Sequence, residues 1–458
     1  MYFMRSVKRI LVGFVCCAAL LIAIGRSAAR TITIRLGYQD MCTDTYPAGN
    51  VIMGLHLLRH FLPTKGKYAG VKYRIVWRNY DSGAPLTNMM IAGKLDFGTM
   101  GDYPLVVNGA KFQATGSEQS LLITMTAYNL DGAGNGIVVP VSSKINSVDQ
   151  LQGKSLSVPI GSAAWGMLYL LAKDRHIPFS HFDIINQAPM VGIAAIAENR
   201  IAAHADFCPM SEYMEFKGTG RMIFCGSETH IPYLHGAVVR AAFAHKYPAI
   251  VTAYCEAVTA ADGWIKANPL RASRMLAKWT MIPRQVLYLY FSHGGYLVPD
   301  PTIKPLWIKT LAFDHSILTK YAGAPPLKMA AWVDARYLKA AYKTLGLDYA
   351  KQEAQMVSPK QNIGRPPEIW VNGNGIEKFK TISQMIRGYK VALKSGKKVS
   401  AAYVYDHDTG IKMFARTSWF TMNQGAIHAF MTLGEATRSV KSHGGALCSF
   451  AKLVPLPN

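Results

Sequence analysis

Hydrophobic positions in the first part of the chain alternate between strand-like and helix-like spacing. Ile32, Ile34 and Leu36 occupy every second position, as in a half-buried strand, and a polar loop follows them. The successive predicted elements are a strand at 31–37, a helix at 51–60, a strand at 71–77 and a helix at 87–92. Because strands alternate with helices, the pattern predicts a parallel sheet whose loops at the strand ends are available for a ligand.

The same order recurs in the middle of the chain, which indicates two α/β lobes of similar design. Apolar runs predict strands at 137–141 and 155–160, and helices follow at about 163–175 and 191–199. The chain leaves the first lobe near 124–129 and returns near 231–236. Two lobes joined by such crossovers enclose a cleft, where binding sites usually lie. Long helices are then predicted at 249–267 and 270–279, separated by Asn268-Pro269.

One turn of the second lobe has the pattern of an anion site. The apolar run 156–160 is followed by Gly161, which permits a sharp turn, and by Ser162, a good helix N-cap. The free backbone N–H groups and dipole of the following helix favour an anionic group. An ordinary strand–helix turn accounts for these residues equally well.

The last quarter of the chain predicts a separate small α+β unit. Ser358–Pro367 is rich in proline and polar residues and is the best linker. The elements predicted after it are a helix at 382–393, strands at 400–405 and 412–416, a helix from Thr432 to Lys441 and a strand at 446–453. Thr432-Leu433-Gly434-Glu435 has the spacing of a capping box.

The N-terminus and the charge suggest where the protein acts. Arg5, Lys8 and Arg9 precede an apolar run that ends at Ser27-Ala28-Ala29, the pattern of an export signal over residues 1–29, although an uncleaved anchor is an alternative. The formal net charge is +23, but the basic residues are scattered and no nucleic-acid motif accompanies them. We therefore expect a periplasmic protein that binds no nucleic acid.

Five cysteines lie after this predicted signal, and no pair has C-x-x-C spacing. Cys208 and Cys225 are near enough in sequence to bridge in an oxidising compartment, and the odd count leaves at least one free thiol. The alternative is that all five are buried and reduced.

Several motifs resemble those of the nitrate/sulfonate/taurine-type substrate-binding proteins of bacterial ABC transporters, over about residues 30–320. The matching segments are Gly93-Lys94-Leu95-Asp96-Phe97-Gly98 with Gly101-Asp102-Tyr103-Pro104, Ser147-Val148-Asp149-Gln150-Leu151-Gln152-Gly153-Lys154, Pro159-Ile160-Gly161-Ser162-Ala163, and Ala261-Asp262-Gly263-Trp264-Ile265 with Asn268-Pro269.

This resemblance implies an α/β chain with the type II periplasmic-binding-protein fold, two Rossmann-like lobes with a ligand cleft. Residues 30–128 and 232–325 would form lobe I, residues 129–231 lobe II, residues 326–366 a helical extension and linker, and residues 367–458 the C-terminal unit. It also implies a monomeric, non-enzymatic component of an importer. Such a protein captures a small anionic or zwitterionic organic solute and delivers it to a membrane permease and ATPase complex.

The resemblance also implies which residues line the cleft. They are Ser82, Gly83, Gly101, Asp102, Tyr103, Gly161, Ser162 and Ala163, with Asp40, Cys42 and Asp44 in the first-strand loop and Pro189 or Cys208 at the far wall. The three aspartates would repel a simple inorganic anion. Either they bind backbone amides and structure their loops, or the ligand carries a cationic amine or a metal.

The C-terminal unit resembles the NosL-like copper-chaperone domain associated with nitrous-oxide reductase maturation. The matching segments are Tyr403-Val404-Tyr405-Asp406-His407-Asp408-Thr409-Gly410, Phe414-Ala415-Arg416, Ala429-Phe430 with Glu435-Ala436, and His443-Gly444-Gly445. The Cys-containing metal motif of that family is missing. Thioether and imidazole donors suit Cu(I), so Met422, His428 and His443 are candidate copper ligands, and no other cofactor is expected. The alternative is a structural or partner-docking module, since methionines in such a unit more often belong to its core.

Two alternative functions remain open from the sequence. One is a copper-handling or sensor protein that acts through the C-terminal unit. The other is an enzyme similar to the thiamine-pyrimidine synthases, which share the fold, using the histidines and the cysteine that cluster in sequence at His204, Cys208, His230 and His235. No G-x-S-x-G, H-E-x-x-H or P-loop pattern accompanies them.

Overall fold

The computed structural model describes residues 30–116 and 118–454. The signal predicted over residues 1–29 lies outside them. Among the described residues, no helix combines the length and the apolar character needed to cross a bilayer.

The first segment builds most of a six-stranded mixed sheet. Alternating buried and partly exposed residues form its first strand, and five buried residues form its third. Its elements are β1 Thr31–Tyr38, α1 Asn50–Gly54, α2 Leu57–Phe61, β2 Lys72–Asn79, α3 Gly83–Ile91, β3 Phe97–Gly101, α4 Asp102–Thr115 and β4 Ser120–Asn129. A 3-10 turn, Thr43–Ala48, follows β1.

The single helix predicted over 51–60 is wrong, because the chain breaks it into α1 and α2. His56 between them has a left-handed φ of 55°. The ring of Trp279 lies so close to Gly54 that a Cβ there would clash with it. The break thus lies beside a long-range contact that local periodicity does not contain.

The middle segment forms a second sheet of five strands, in the order β7-β6-β8-β5-β9. Its elements are β5 Gly136–Pro140, β6 Ser155–Val158, α5 Ala163–Asp174, β7 Asp183–Asn186, α6 Pro189–Ala197, β8 Ala203–Asp206, α7 Met210–Lys217 and β9 Gly220–Cys225. We call this unit lobe II. Strands β6, β7 and β8 are parallel, and β5 runs against β8 and β9.

The chain then returns to the first sheet and continues in helices. Strand β10 pairs with β3 and β4, which completes the sheet order β11-β4-β10-β3-β1-β2 of lobe I. The elements are β10 Tyr233–Arg240, α8 Ala241–Lys246, α9 Pro248–Ala267, α10 Pro269–Thr280, α11 Arg284–Phe291, β11 Val298–Pro299, α12 Pro305–Ala322, α13 Met329–Trp332, α14 Arg336–Leu345 and α15 Tyr349–Glu353. The two long helices predicted on either side of Asn268-Pro269 are confirmed as α9 and α10.

The C-terminal unit contains two small antiparallel sheets and two main helices. Its elements are β12 Glu368–Val371, β13 Gly375–Lys378, α16 Ile382–Lys394, β14 Val399–Tyr405, β15 Lys412–Phe414, β16 Trp419–Asn423, β17 Ala426–Phe430, α17 Leu433–His443, β18 Ala446–Ser449 and α18 Phe450–Leu453. The predicted capping box is confirmed, since the side chains of Thr432 and Glu435 bond each other's backbone N–H. The final strand is shorter than predicted because α18 replaces its second half.

Both α11 and the C-terminal unit reach lobe II. The Tyr290 hydroxyl on α11 donates a hydrogen bond to Glu212 of α7 at 2.6 Å. Phe216 of α7 packs against Phe414 of β15, with ring centroids 5.5 Å apart. The C-terminal unit is thus docked on the side of the two lobes.

Candidate functional site

Three helices begin at the cleft between the lobes. Helices α3 and α4 start at Gly83 and Asp102 in lobe I, and α5 starts at Ala163 in lobe II. Ser162 caps α5, because its Oγ accepts a hydrogen bond from the backbone N–H of Trp165 at 3.2 Å. The positive ends of three helix dipoles therefore face the same space, which favours a negatively charged group.

The two lobes are in direct contact around these helix ends. A Cβ added to Gly101 would lie 3.4 Å from the Cβ of Ala163, and one added to Gly161 would lie 3.4 Å from that of Ala84. One cavity between the lobes at these helix ends measures about 10 Å³, which is room for about one water molecule. Its walls are formed by Gln39, Cys42, Gly83, Gly101, Pro104, Ser162, Ala163, Phe207, Tyr233 and His235. Asp102 and Tyr103 line a second small interlobe cavity of about 20 Å³.

The aspartates predicted in the cleft have different surroundings. Both carboxylate oxygens of Asp102 accept backbone N–H groups, from Tyr103 at 2.8 Å and from Leu234 at 3.2 Å. Asp44 accepts the Thr43 hydroxyl at 2.9 Å and is buried. Asp40 is half-buried and is not among the residues that line the cavity. For Asp102, the geometry favours the loop-structuring interpretation over a partner for a cationic ligand.

The remaining predicted cleft residues lie in the turns and helices around the first cavity and do not line it. Ser82 is the N-cap of α3, and Gly161 lies in the turn before α5. The Tyr103 ring packs so tightly on Gly166 of α5 that a side chain there would clash with it. Pro189 is buried in the first turn of α6 and does not line the cavity. Lobe II thus contributes its cleft wall through α5 and the loop after β8.

Cys42, Cys208 and His235 form the chemically most distinctive group in the cleft. The two Sγ atoms lie 3.5 Å apart, and His235 Nε2 is 3.5 Å from Cys42 Sγ and 3.7 Å from Cys208 Sγ. All three side chains are buried. The disulfide considered between Cys208 and Cys225 is not present, since both thiols are free. The histidine was missed as a cleft residue because nothing local in the sequence joins it to Cys42.

Burial and charge shift the protonation of this group strongly. Burial alone would raise the pKa of Cys42, but the hydrogen bond from Cys208 and the charge of His235 outweigh it and lower that pKa to about 6. Burial would lower the pKa of His235, and the opposing charges of Cys42 and Asp44 raise it to about 9. The Asp44 carboxylate lies 3.6 Å from His235 Nδ1. Between these pH values Cys42 is a thiolate beside an imidazolium.

This pairing predicts a thiolate absorbance at unusually low pH. In the reduced, metal-free protein we expect the 240 nm absorbance to rise with a midpoint near pH 6, because His235 stabilises the Cys42 anion. The lowered pKa of Cys42 stabilises the folded state. This contribution is fully present above the ordinary thiol pKa and is lost as the pH falls through about 6. Cys42→Ser should abolish the step, and Cys225→Ser should leave it unchanged. A wild-type midpoint above pH 8 would contradict the pairing.

His204, one of the histidines that cluster in sequence, does not belong to this cleft group. His204 is buried inside lobe II, where its two ring nitrogens bond Ser157 Oγ at 2.7 Å and Asp206 Oδ2 at 2.8 Å. All three side chains are fully buried. This serine–histidine–aspartate arrangement therefore satisfies polar groups in the core and is not accessible to a substrate.

The candidate copper ligands of the C-terminal unit are likewise not brought together as one set. His428 is paired with Thr421 and Met422 with Ile427, so Met422 and His428 point to opposite faces of the β16–β17 ribbon. The ring of His428 instead lies beside His407, with centroids 4.2 Å apart. His443 is exposed at the end of α17. Copper binding by this unit and its NosL-like character stay predictions.

Curated relatives cover part of the chain. It is 28% identical over 197 residues to the taurine-binding periplasmic protein of Escherichia coli, which is 42% of this chain and 58% of that protein. It is 22% identical over 275 residues to a putative aliphatic sulfonates-binding protein of the same organism, which is 60% of this chain and 78% of the relative. The chain thus spans little more than half of the taurine-binding relative. No protein-family model matches.

Solved structures show the same fold. The alkanesulfonate-binding protein SsuA of Xanthomonas axonopodis pv. citri, bound to MOPS, superposes with a TM-score of 0.56 at 19% identity, covering 67% of this chain and 99% of that protein. The nitrate-binding protein NrtA of Synechocystis PCC 6803 gives 0.54 at 13% identity, covering 72% and 92%. The predicted fold class is confirmed. The homologues of this chain are taurine- and aliphatic-sulfonate-binding periplasmic proteins, and its two lobes have the fold of periplasmic substrate-binding proteins.

Proposed function

We propose that this chain is the periplasmic solute-binding component of an ABC importer. It closes two lobes over a small organic anion or zwitterion of the taurine and alkylsulfonate class and presents it, as a monomer, to a membrane permease and its ATPase. The observation that carries the proposal is the convergence of three helix N-termini, represented by Gly83, Gly101 and Ala163, on one interlobe cavity. Such an arrangement supplies backbone donors and positive potential to a sulfonate group.

The chain connections support a hinge between the lobes. Within the part of the chain that the structure describes, the backbone passes between the lobes from β4 to β5 and from β9 to β10. These two crossings are in contact, because Gly132 packs against the carbonyls of Gly226 and Ile231. Gly132 and Gly134 have left-handed φ values of 95° and 117°, which side chains rarely adopt. Opening at these crossings would admit a solute, and closing would exclude water around it.

Solute binding is tested by calorimetry with a small panel. The full chain is titrated with taurine, ethanesulfonate and nitrate, and its radius of gyration is measured by small-angle X-ray scattering with and without each solute. We expect a micromolar or tighter Kd for at least one sulfonate, together with a smaller radius of gyration, because the ligand stabilises the closed lobes.

Taurine carries an amine that ethanesulfonate lacks, so comparing their affinities tests whether a buried aspartate binds that amine. Asp102 already accepts two backbone N–H groups, so Asp102→Asn should change the affinity for both solutes alike. A selective loss for taurine would assign Asp102 to the amine. The proposed function is contradicted if no member of the panel binds and none changes the scattering profile.

A further inference from the structure

We propose that Cys42, Cys208 and His235 form a binding site for one thiophilic d10 metal ion, Cu(I) or Zn(II), in the interlobe cleft. Their three donor atoms define a nearly equilateral triangle with sides of 3.5, 3.5 and 3.7 Å. A point equidistant from the three atoms lies about 2.1 Å from each, close to the 2.0–2.3 Å of metal–nitrogen and metal–sulfur bonds. Side-chain movements of a few tenths of an ångström would complete the coordination.

The chemistry of the donor set defines the class of ion. Two thiolates and an imidazole are soft or borderline ligands, which select Cu(I) and Zn(II) over Mg²⁺ or Ca²⁺. Within the described residues, no further histidine, cysteine or carboxylate belongs to this compact group. Three donors suffice for Cu(I), whereas Zn(II) needs a fourth ligand. The adjoining cavity of about 10 Å³ has room for one water in that position.

Two of the three donors are held by separate elements of lobe I. Cys42 directly precedes the 3-10 turn after β1, where its carbonyl accepts the Thr45 hydroxyl at 2.9 Å. His235 lies on β10, in the interior of the lobe I sheet. The Asp44 carboxylate faces its Nδ1, which leaves Nε2 directed at the two sulfurs. Such a support holds the Cys42 and His235 donors in place within lobe I before the ion arrives.

The site also joins the two lobes. Cys42 and His235 belong to lobe I, while Cys208 follows β8 in lobe II. An ion bound by all three would therefore favour the closed state by bridging the lobes. This inference rests on the proposed function in one respect, which is that the cleft is the ligand site. The metal site itself is inferred from the distances between its three donor atoms.

Metal binding is tested on the full chain, reduced anaerobically and freed of metal with a chelator. Cu(I) affinity is measured by competition with bicinchoninate and Zn(II) affinity by competition with a chromophoric chelator. We expect one equivalent of one of these ions to bind, and X-ray absorption to show two sulfurs and one nitrogen as neighbours. Cys42→Ser, Cys208→Ser and His235→Gln should each weaken binding about 100-fold or more, because each removes a ligand.

The controls distinguish metal binding at this site from metal binding at other thiols and from solute binding. Cys225→Ser removes a buried thiol outside the cluster and should leave metal affinity unchanged. Circular dichroism of each variant establishes that it is folded, and His235→Gln retains both thiols if a serine variant unfolds. The proposal is overturned if the folded wild type with free thiols binds neither ion, if the ligand variants bind as tightly as wild type, or if Cys42 and Cys208 form a disulfide that resists reduction. Sulfonate binding without metal binding would refute this inference alone, and metal binding without sulfonate binding would refute the proposed function alone.

Discussion

Replacing Lys412 with methionine is expected to lower the free energy of unfolding by about 3–5 kcal/mol. The Lys412 ammonium is fully buried, 2.8 Å from Glu368 Oε2 and 2.8 Å from Ser292 Oγ. It also lies within 5.6 Å of the ring centroids of Tyr288, Tyr403 and Tyr405. The methionine fills the same volume but leaves the Glu368 carboxylate buried without its close cation, which is far costlier than losing an exposed pair.

Glu368 supplies matched controls for this substitution. Lys378 lies 3.5 Å from the other carboxylate oxygen, but its side chain is 59% exposed, so Lys378→Met should change stability by less than about 1 kcal/mol. The double variant Lys412→Met/Glu368→Gln removes both charges and should recover much of the loss. Urea denaturation followed by circular dichroism measures all three. A single Lys412→Met variant within about 1 kcal/mol of wild type would contradict the role of the pair.

The same substitution should loosen the C-terminal unit. Lys412 lies on β15, whereas Tyr288 belongs to α11 and Ser292 directly follows it, so the buried cation attaches this unit to α11. The segment Ser358–Pro367 connects the two. We expect trypsin to cleave within or beside this segment faster in Lys412→Met than in wild type.

The sequence predicted the two-lobed fold well because its signals are local. Alternating apolar residues in β1, the Ser162 cap of α5 and the Pro269 break between α9 and α10 all act within a few residues. The three helix starts at the cleft follow from these signals once the strands are parallel. The division of the predicted helix 51–60 lies where Trp279, more than 200 positions away, packs on Gly54, and no local pattern contains that contact.

The sequence placed many residues of the candidate site in the cleft, but not His235. Cys42, Gly83, Gly101, Ser162 and Ala163, which the resemblance put in the cleft, line the cavity, and so does His235. Cys42 is separated from Cys208 by 166 residues and from His235 by 193. The first contact depends on how the lobes close, and the second on the return of the chain to the lobe I sheet as β10. Lys412 is similar, since a lysine in a short strand is usually exposed, and its burial depends on docking against α11. Such long-range pairings leave no periodicity in the sequence.

Replacing Gly101 with valine should abolish lobe closure and weaken taurine binding by at least about 100-fold, which is nearly 3 kcal/mol. Gly101 has a φ of −73°, which any residue can adopt, so the backbone is not strained by the change. A Cβ there would already lie 3.3 Å from His235 Nε2 and 3.4 Å from the Cβ of Ala163 in the opposite lobe. The two further methyl groups of valine would occupy the space that the closed lobes share.

Gly263 provides the matched control for this effect. It lies in α9, and a Cβ there would meet no atom within 4 Å, so Gly263→Val should bind taurine as wild type does. Calorimetry gives the affinities, and small-angle scattering shows whether each variant still contracts with taurine. The contact with Ala163 exists only when the lobes meet, whereas His235 lies beside Gly101 within lobe I. Circular dichroism must therefore show that Gly101→Val is folded before its expected loss of contraction is assigned to the blocked closure. A Gly101→Val affinity within threefold of wild type would show that the solute binds away from this contact and would remove the helix N-termini from the site.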